Sequence, residues 1–216
     1  MKTSPGRTTD IPVRPEAVVV VVLAGGRSRR LGGGIKGLKD LGGRNLLSHV
    51  LARLPESVGA VILNANDVSD QIASFGLPIV PDLDPEARLG PLAGVLAGLE
   101  WASRQDWARW VLAVPSDAPF LPPDLLVRLS HAVARDRAPV AVAASAGRLH
   151  PVVGLWSLCL REDLSRALIE DGERKVGSVV RALGAATVDW PVQPHDPFLN
   201  INTPEDLSWA EQILDA

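Results

Sequence analysis

The stretch Val18-Val19-Val20-Val21-Val22-Leu23-Ala24-Gly25-Gly26-Arg27-Ser28-Arg29-Arg30-Leu31-Gly32-Gly33-Gly34-Ile35-Lys36-Gly37 decides how the rest of the chain is read. Five consecutive β-branched valines make a poor helix and a good strand. An uninterrupted apolar run suits a strand covered on both faces, as in a parallel sheet. The run feeds directly into a loop rich in glycine and arginine. Glycines let backbone N–H groups approach a ligand, and Arg and Lys supply the charge that a polyphosphate demands. From Arg27 to Arg44 the charged residues are Arg27, Arg29, Arg30, Lys36, Lys39 and Arg44 against Asp40 alone, a local net of +5. The loop fits neither of two common phosphate-binding patterns. G-x-x-x-x-G-K-[ST] fails because Lys36 lies between Ile35 and Gly37, and G-x-G-x-x-G fails on the spacing of Gly25-Gly26-Arg27-Ser28.

Outward from this stretch, β-branched runs alternate with helical patterns. Val18–Leu23, Ala60–Leu63, Pro78–Val80, Trp110–Val114, Val140–Ala144 and Pro151–Trp156 are the expected strands. Leu46–Leu54, Pro91–Ala102, Pro122–Ala134, Leu160–Ile169 and Pro204–Leu214 are the expected helices, several opened by a proline suited to the first turn. In Pro91–Ala102, Leu92, Val95, Leu96, Leu99 and Ala102 recur at helical spacing, predicting one apolar face. This alternation predicts a three-layer α/β/α sandwich with a largely parallel sheet, whose ligands sit beyond the carboxyl ends of the strands.

The 216 residues accommodate one domain, expected over 17–216, preceded by a flexible extension over 1–16 that has prolines and no apolar periodicity. Hydrophobic residues at 46% and charged residues at 22% exclude disorder, collagen and coiled coil. A formal charge of −3 argues against a nucleic-acid binder, so any anionic ligand must meet local positive charge. The apolar run Ala17–Ala24 is far shorter than the roughly 20 residues of a membrane-spanning helix. Lys2, Arg7 and Arg14 precede it as in an export signal, but Glu16 abuts it, and the strand reading is preferred. Cys159 is the single cysteine, which excludes an intramolecular disulfide and a Cys-based zinc site and fits a reducing, cytoplasmic compartment.

Several separate segments carry a resemblance in order along the chain. Leu23 to Gly37 is similar to L-A-G-G-x-S-x-R-M-G-G-x-D-K-G, the signature loop of the molybdenum cofactor guanylyltransferases of the MobA type, with Leu31 for methionine and Ile35 for aspartate. Asn64-Ala65-Asn66 resembles the family's N-A-N element, Gly90-Pro91-Leu92-Ala93-Gly94 its G-P-L-A-G, and Pro115-Ser116-Asp117-Ala118-Pro119-Phe120-Leu121-Pro122 its P-C-D-x-P-F-L-P. His150-Pro151, Gly172-Glu173-Arg174-Lys175-Val176 and Phe198-Leu199-Asn200-Ile201-Asn202-Thr203-Pro204-Glu205-Asp206-Leu207 match its H-P, G-x-R-x-V and F-x-N-x-N-T-P-x-D-L.

The resemblance spans about Val18 to Leu207 and implies a Rossmann-like nucleotidyltransferase (GT-A-like) fold. It implies transfer of GMP from GTP to Mo-molybdopterin, with pyrophosphate released and Mg2+ as cofactor. Leu23, Ala24, Gly25, Gly26, Arg27, Lys36, Asn64, Asp82 and Asp117 are then nucleotide-binding. Lys36, Asp117 and Arg30 are catalytic, Asp117 is the metal ligand, and His150, Arg174, Lys175, Asn200 and Asn202 meet the acceptor. Expected partners are these small molecules, with transient contact to molybdoenzymes or their chaperones, no nucleic acid and no membrane, the chain acting as a monomer. Of the departures, Ile35 deprives Lys36 of one orienting carboxylate, Ser116 for cysteine changes no required chemistry, and Asn45 for proline weakens the start of a helix.

The residues argue in the same direction by themselves. Asp117 follows an apolar strand in a proline-flanked turn, where magnesium could find a carboxylate and take its remaining ligands from phosphates and water. Capping of the next helix is the competing role for Asp117, and a plain turn for Asp82. His49, His131, His150 and His195 have no metal-ligand spacing, and a structural or substrate-contact role for His150 competes with a catalytic one. Asn200 and Asn202 flank Ile201, so in an extended segment both amides share one side. Other readings are a transferase using CTP or a sugar phosphate, a nucleotide-binding regulator without catalysis, motivated by Ile35, and an interaction module, motivated by six Trp residues.

Overall fold

The computed structural model describes residues 13–26, 29–86, 89–173 and 175–215, with the backbone alone of Arg29. Strand β1 is Val18–Leu23, a hairpin pairs β2 (Asp40–Leu41) with β3 (Arg44–Asn45), and helix α1 spans Leu46–Ala52. There follow β4 (Ala60–Asn64), α2 (Asp70–Ala73), β5 (Ile79–Val80), α3 (Leu92–Ala102), β6 (Trp110–Pro115) and α4 (Leu125–Asp136). The remainder is β7 (Val140–Ser145), β8 (Arg148–Ser157), α5 (Arg161–Ser165), α6 (Val176–Ala182), β9 (Ala186–Trp190) and α7 (Pro204–Leu214).

Seven strands form one sheet in the order β5-β4-β1-β6-β8-β7-β9. All neighbours are parallel except around β8, which runs antiparallel to β6 and β7. The valine run is an inner strand of this sheet, between β4 and β6, and its five valines are fully buried. Val18, Val20 and Val22 join the core cluster that holds residues of α1 and α4, whereas Val19 and Val21 join the one that holds residues of α3, α5 and α6. Successive side chains of a strand point to opposite faces, so an unbroken apolar run is what a sheet with helices on both sides selects. Each such valine contributes about 1.5–3 kcal/mol.

Helix α3 is buried beyond the single apolar face expected of it. Ala93, Gly94, Ala97 and Gly98 are buried along with the periodic Leu and Val residues. The small residues let the helix lie close on the sheet; a Cβ at Gly98 would stand 3.0 Å from Cβ of Val21. The segment Leu160–Ile169 divides into the α-helical turn α5 and a π-helical turn at Arg166–Glu170. Leu160, Leu164 and Leu168, four residues apart, still face the core.

Two expectations change near the ends of elements. Of the extension expected over 1–16, Pro15–Ala17 form a 3-10 turn and Val13 packs against the core, while residues 1–12 lie outside the described residues. Asn45 does not weaken its helix: its side chain accepts from the Ser48 backbone N–H at 2.8 Å, so it is the N-cap of α1. Among the described residues no helix is long and apolar enough to cross a membrane.

Candidate active site

The chain leaves β1, adds β4 and β5 on one side, and returns to place β6 on the other. The strand order therefore reverses at β1, the kind of crevice in which open α/β sheets bind ligands. Leu23 at the end of β1 stands in register with Asn64 and with Pro115. The loops after three strands consequently open onto one place. There they enclose a cleft of about 370 Å³, lined by Leu23, Gly25, Gly26, Lys36, Asn64, Asn66, Asp82, Gly90, Pro91, Gly94, Pro115, Ser116, Asp117, Val152 and Asn200. That volume lies within the range of about 300–1,000 Å³ usual for small-molecule sites.

The glycine-rich loop is folded back so that its lysine returns to the strand end. Gly32, Gly33 and Gly34 have φ of 78°, 80° and 79°, a left-handed run that residues with a Cβ avoid. After it, the Lys36 backbone N–H donates to the Gly26 carbonyl at 2.9 Å. Gly37 lies against Ser116, where an added Cβ would approach Cβ and Oγ to 3.0 Å. The loop after β1 is thereby pressed onto the loop after β6. Lys36 Nζ forms an ion pair with the Asp117 carboxylate and donates a hydrogen bond to Oδ1 of Asn202. The side chains of Lys36 and Asp117 are each 13% exposed, so their charges meet in partial shelter from water. Ile35, which has no carboxylate to offer, packs against the core, and Asp117 and Asn202 orient the lysine in its place.

The segment that brings Asn202 is fixed on both sides. The Ile201 backbone N–H donates to the Asp117 carbonyl at 2.9 Å, and the Ile201 side chain is fully buried. Beyond it, Thr203 and Asp206 form a capping box at the start of α7, and Asp206 Oδ2 also accepts from the Asn202 backbone N–H at 2.8 Å.

Across the cleft, Asn64 at the end of β4 donates to the Val80 carbonyl at 3.1 Å and to Asp82 Oδ1 at 2.9 Å. Asn66 donates to Asp82 Oδ2 at 2.9 Å and accepts from the Asp82 backbone N–H at 2.8 Å. Both carboxylate oxygens of Asp82 are thus held by amides, and the group is one wall of the cleft. Gly94, in the first turn of α3, makes room for this clamp: a Cβ there would stand 2.2 Å from Oδ1 of Asn64.

Leu23, Gly25, Gly26, Lys36, Asn64, Asp82, Asp117 and Asn200 line the cleft, and Asn202 joins it through Lys36. Ala24 is buried and, with Gly25, Gly34, Ile35 and Asp67, lines an adjoining pocket of about 160 Å³. Arg30 is exposed on the turn Arg29–Leu31 and is not among the residues lining either space. Arg27 and Arg174 lie outside the described residues. Lys175 is exposed at the start of α6, its backbone N–H donating to Glu173 Oε1 at 2.7 Å. His150 does not line the cleft; it is buried behind it on β8, hydrogen-bonded to Ser145. Burial lowers its pKa below the ordinary value, with the Asp196 carboxylate opposing and Arg148 reinforcing the shift.

Sequence reasoning did not single out Asn66, Gly94 or Asp206. Asn66 had a signal, since it stands two residues from Asn64 and shares its side of an extended segment. Asp206 had one as well, since Thr203-x-x-Asp206 ahead of an apolar run has the spacing of a capping box, whereas the contact of Gly94 with Asn64 is set by the packing of α3 on β4.

Among the described residues no three His, Cys, Asp or Glu side chains are grouped as a metal cage. The Asp117 carboxylate fits a cation that arrives with phosphate oxygens and water as its other ligands, which is the habit of magnesium.

The sequence profile of the MobA-like NTP transferase domain matches residues 20–187. The chain is 50% identical over 198 residues to a molybdenum cofactor guanylyltransferase of Rhodopseudomonas palustris (strain BisB5), covering 91% of this chain and 94% of that protein. It is 42% identical over 200 residues to one of Rhizobium meliloti (strain 1021), covering 90% of each. Among solved structures it is similar to molybdopterin-guanine dinucleotide biosynthesis protein A from Archaeoglobus fulgidus, with a TM-score of 0.70, 25% identity, and coverage of 91% of this chain and 98% of that one. A CMP:2-keto-3-deoxy-manno-octonic acid synthetase, at 16% identity and a TM-score of 0.69, shares the fold. The chain is a nucleotidyltransferase and belongs to the MobA-like NTP transferase family, with the molybdenum cofactor guanylyltransferases.

Proposed function

We propose that this enzyme transfers GMP from GTP to the terminal phosphate of Mo-molybdopterin, forming the guanine dinucleotide cofactor and releasing pyrophosphate. The observation that carries the reading is the meeting of Lys36, Asp117 and Asn202 at one end of a cleft whose other wall is the Asn64–Asp82–Asn66 clamp. A nucleoside laid along this cleft puts its base and ribose toward the clamp and its phosphates toward Lys36. The backbone of Gly25 and Gly26 lies beneath, where N–H groups can meet phosphate oxygens.

Nucleotidyl transfer needs alignment and charge neutralisation more than covalent help from side chains. The acceptor phosphate oxygen attacks the α-phosphorus in line, a new P–O bond forms, and the bond to the bridging oxygen breaks with its electrons leaving on pyrophosphate. In this reading Lys36 leaves Asp117 to contact the phosphates and stabilise the leaving group, and Asn200 and Asn202 hold the acceptor side of the reacting centre. Arg30 and Lys175, exposed outside the cleft lining, provide further positive charge for two polyanionic substrates, and Arg27 and Arg174 are assigned to the nucleotide and to the acceptor. Asp117 is the residue that would hold Mg2+, which when bound neutralises phosphate charge.

The enzyme is read as a monomer that acts in the cytoplasm and passes its product to molybdoenzymes or their chaperones. Binding of GTP, CTP and ATP, each with Mg2+, followed by mass analysis of the product formed with molybdopterin, tests the reading. It expects GTP to bind most tightly and the guanine dinucleotide to form; preference for CTP and a cytosine product would overturn it.

A further inference from the structure

Behind the cleft, three polar side chains meet in a region otherwise packed with apolar ones. Ser145 at the end of β7 is 1% exposed and His150 on β8 is 7% exposed. Such groups are costly to bury unless paired. His150 Nε2 lies 2.7 Å from Ser145 Oγ, and Ser145 Oγ donates to Asp196 Oδ2 at 3.1 Å. Asp196 belongs to the stretch between β9 and α7. Because the serine proton goes to the carboxylate, the imidazole must donate its own Nε2–H to Ser145 Oγ, and the order of donors is fixed along the chain of three.

The far end of this chain organises the backbone that follows. Asp196 Oδ1 accepts from the Phe198 backbone N–H at 2.9 Å. The Phe198 ring, 2% exposed, packs on the His150 ring at 4.9 Å and edge-on against Trp190 at 5.3 Å. Immediately beyond it, Asn200 lines the cleft, Ile201 bonds to the Asp117 carbonyl, and Asn202 receives the hydrogen bond from Lys36. One continuous segment is therefore anchored on the buried polar chain at its start and delivers two amides to the reacting centre at its end.

We propose that His150, with Ser145 and Asp196, is a positioning residue for nucleotidyl transfer: it fixes the start of segment 196–202 and through that segment holds Asn200 and Asn202 beside Lys36 and Asp117. The proposal rests on the functional reading above for its rate consequences, and on the geometry alone for its structural ones. His150 touches no substrate in this account. Its effect falls on the alignment of the reacting groups, to which transfer rates are sensitive, and not on the nucleoside end of the cleft.

The test compares His150→Leu, which removes the donor but keeps bulk, with His150→Gln, which restores an N–H donor. Hydrogen exchange at the Phe198 and Ile201 amides is read without substrate, and kcat and nucleotide KM with GTP and molybdopterin. His150→Leu should speed exchange at both amides by about tenfold or more while the amides of β1 and β6 stay protected. It should lower kcat by about tenfold or more with nucleotide KM within about threefold, and His150→Gln should recover most of both effects. Adding Asn202→Ala to His150→Leu should cost little more than Asn202→Ala alone, since the two act through one segment. Unchanged exchange and kcat, loss of protection across the whole sheet, or strictly additive losses would each overturn the proposal. Ser145→Ala removes the bridging hydroxyl with less change in volume and is read the same way where His150→Leu fails to fold. If the unaltered enzyme releases no pyrophosphate with any nucleotide, the functional reading fails, and the exchange data still decide the positioning role.

Discussion

Lys36 and Asp117 reach each other from the loops after β1 and β6, two neighbouring strands joined through an excursion to the far side of the sheet. Their ion pair ties the two loops that flank the reversal of strand order, and Asn202 Oδ1 adds a third contact from the segment before α7. An ammonium held against a carboxylate in partial shelter leaves both charges poised for exchange. Phosphate oxygens can take the lysine, and the freed carboxylate can take a cation.

Gly94→Ala tests the packing beneath the Asn64–Asp82–Asn66 clamp. The added methyl would meet Oδ1 and Cγ of Asn64 at 2.2 and 2.8 Å and Cδ2 of Leu23 at 2.6 Å, and because Asn64 is held by its bonds to Val80 and Asp82 the clamp itself must shift. Small-to-large changes of this kind cost about 1–3 kcal/mol. Because the atom displaced belongs to the Asp82 clamp, nucleotide KM should rise by about tenfold while kcat at saturation changes less. Thermal unfolding and steady-state kinetics check the two halves; an unaltered KM would separate Asn64 from nucleotide binding.

The geometry also explains how far the sequence could be read. The valine run was legible because burial on both faces leaves no room for polar residues, and the loop after it because glycine and charge together have few other uses. Strand β9 was not among the expected strands, although Ala186, Val188 and Trp190 alternate with the exposed Thr187 and Asp189; five residues of alternation are a short signal beside the continuous apolar runs of the inner strands. Asn45 looked like the loss of a proline and is a cap, because capping depends on where the chain turns into the helix. His150 stood in a recognisable His-Pro pair, yet which side of the cleft wall it occupies depends on the pairing of β7 with β8 and on Phe198 closing over it. Long-range contacts of that kind are invisible to periodicity.

Thr203→Ala removes the hydroxyl that accepts from the Asp206 N–H at 3.2 Å in the capping box. Loss of such a cap costs about 1 kcal/mol, and for a domain of this size lowers Tm by about 2–4 °C. Asp206 still accepts from the backbone of Asn202 and Thr203, so the segment loosens without detaching. Differential scanning calorimetry should show the shift in Tm, with kcat reduced severalfold. A fall in nucleotide KM with kcat intact would be inconsistent with a role for this segment at the reacting centre.

Stability should depend on pH through His150. Burial depresses its folded pKa, so below the ordinary imidazole value of about 6.5 the unfolded chain binds a proton that the native state does not. The stabilising effect of keeping the ring neutral is complete above that value. It is lost progressively as pH falls from there toward the lower folded pKa. Urea titrations at a series of pH values should show this decline in the native enzyme and a flatter profile in His150→Gln; equal slopes in both would assign the dependence to other groups.

The proposed transfer of GMP requires Lys36 and Asp117 together. Pyrophosphate release from GTP in the presence of molybdopterin and Mg2+, compared among the unaltered enzyme, Lys36→Ala and Asp117→Ala, tests it most directly. Loss of one such electrostatic group typically lowers kcat by about 100- to 1,000-fold, and both variants should fall by at least that much. Asp117→Ala should in addition raise the Mg2+ concentration needed for half-maximal rate, a change that Lys36→Ala does not share. Full activity in both variants would contradict the account.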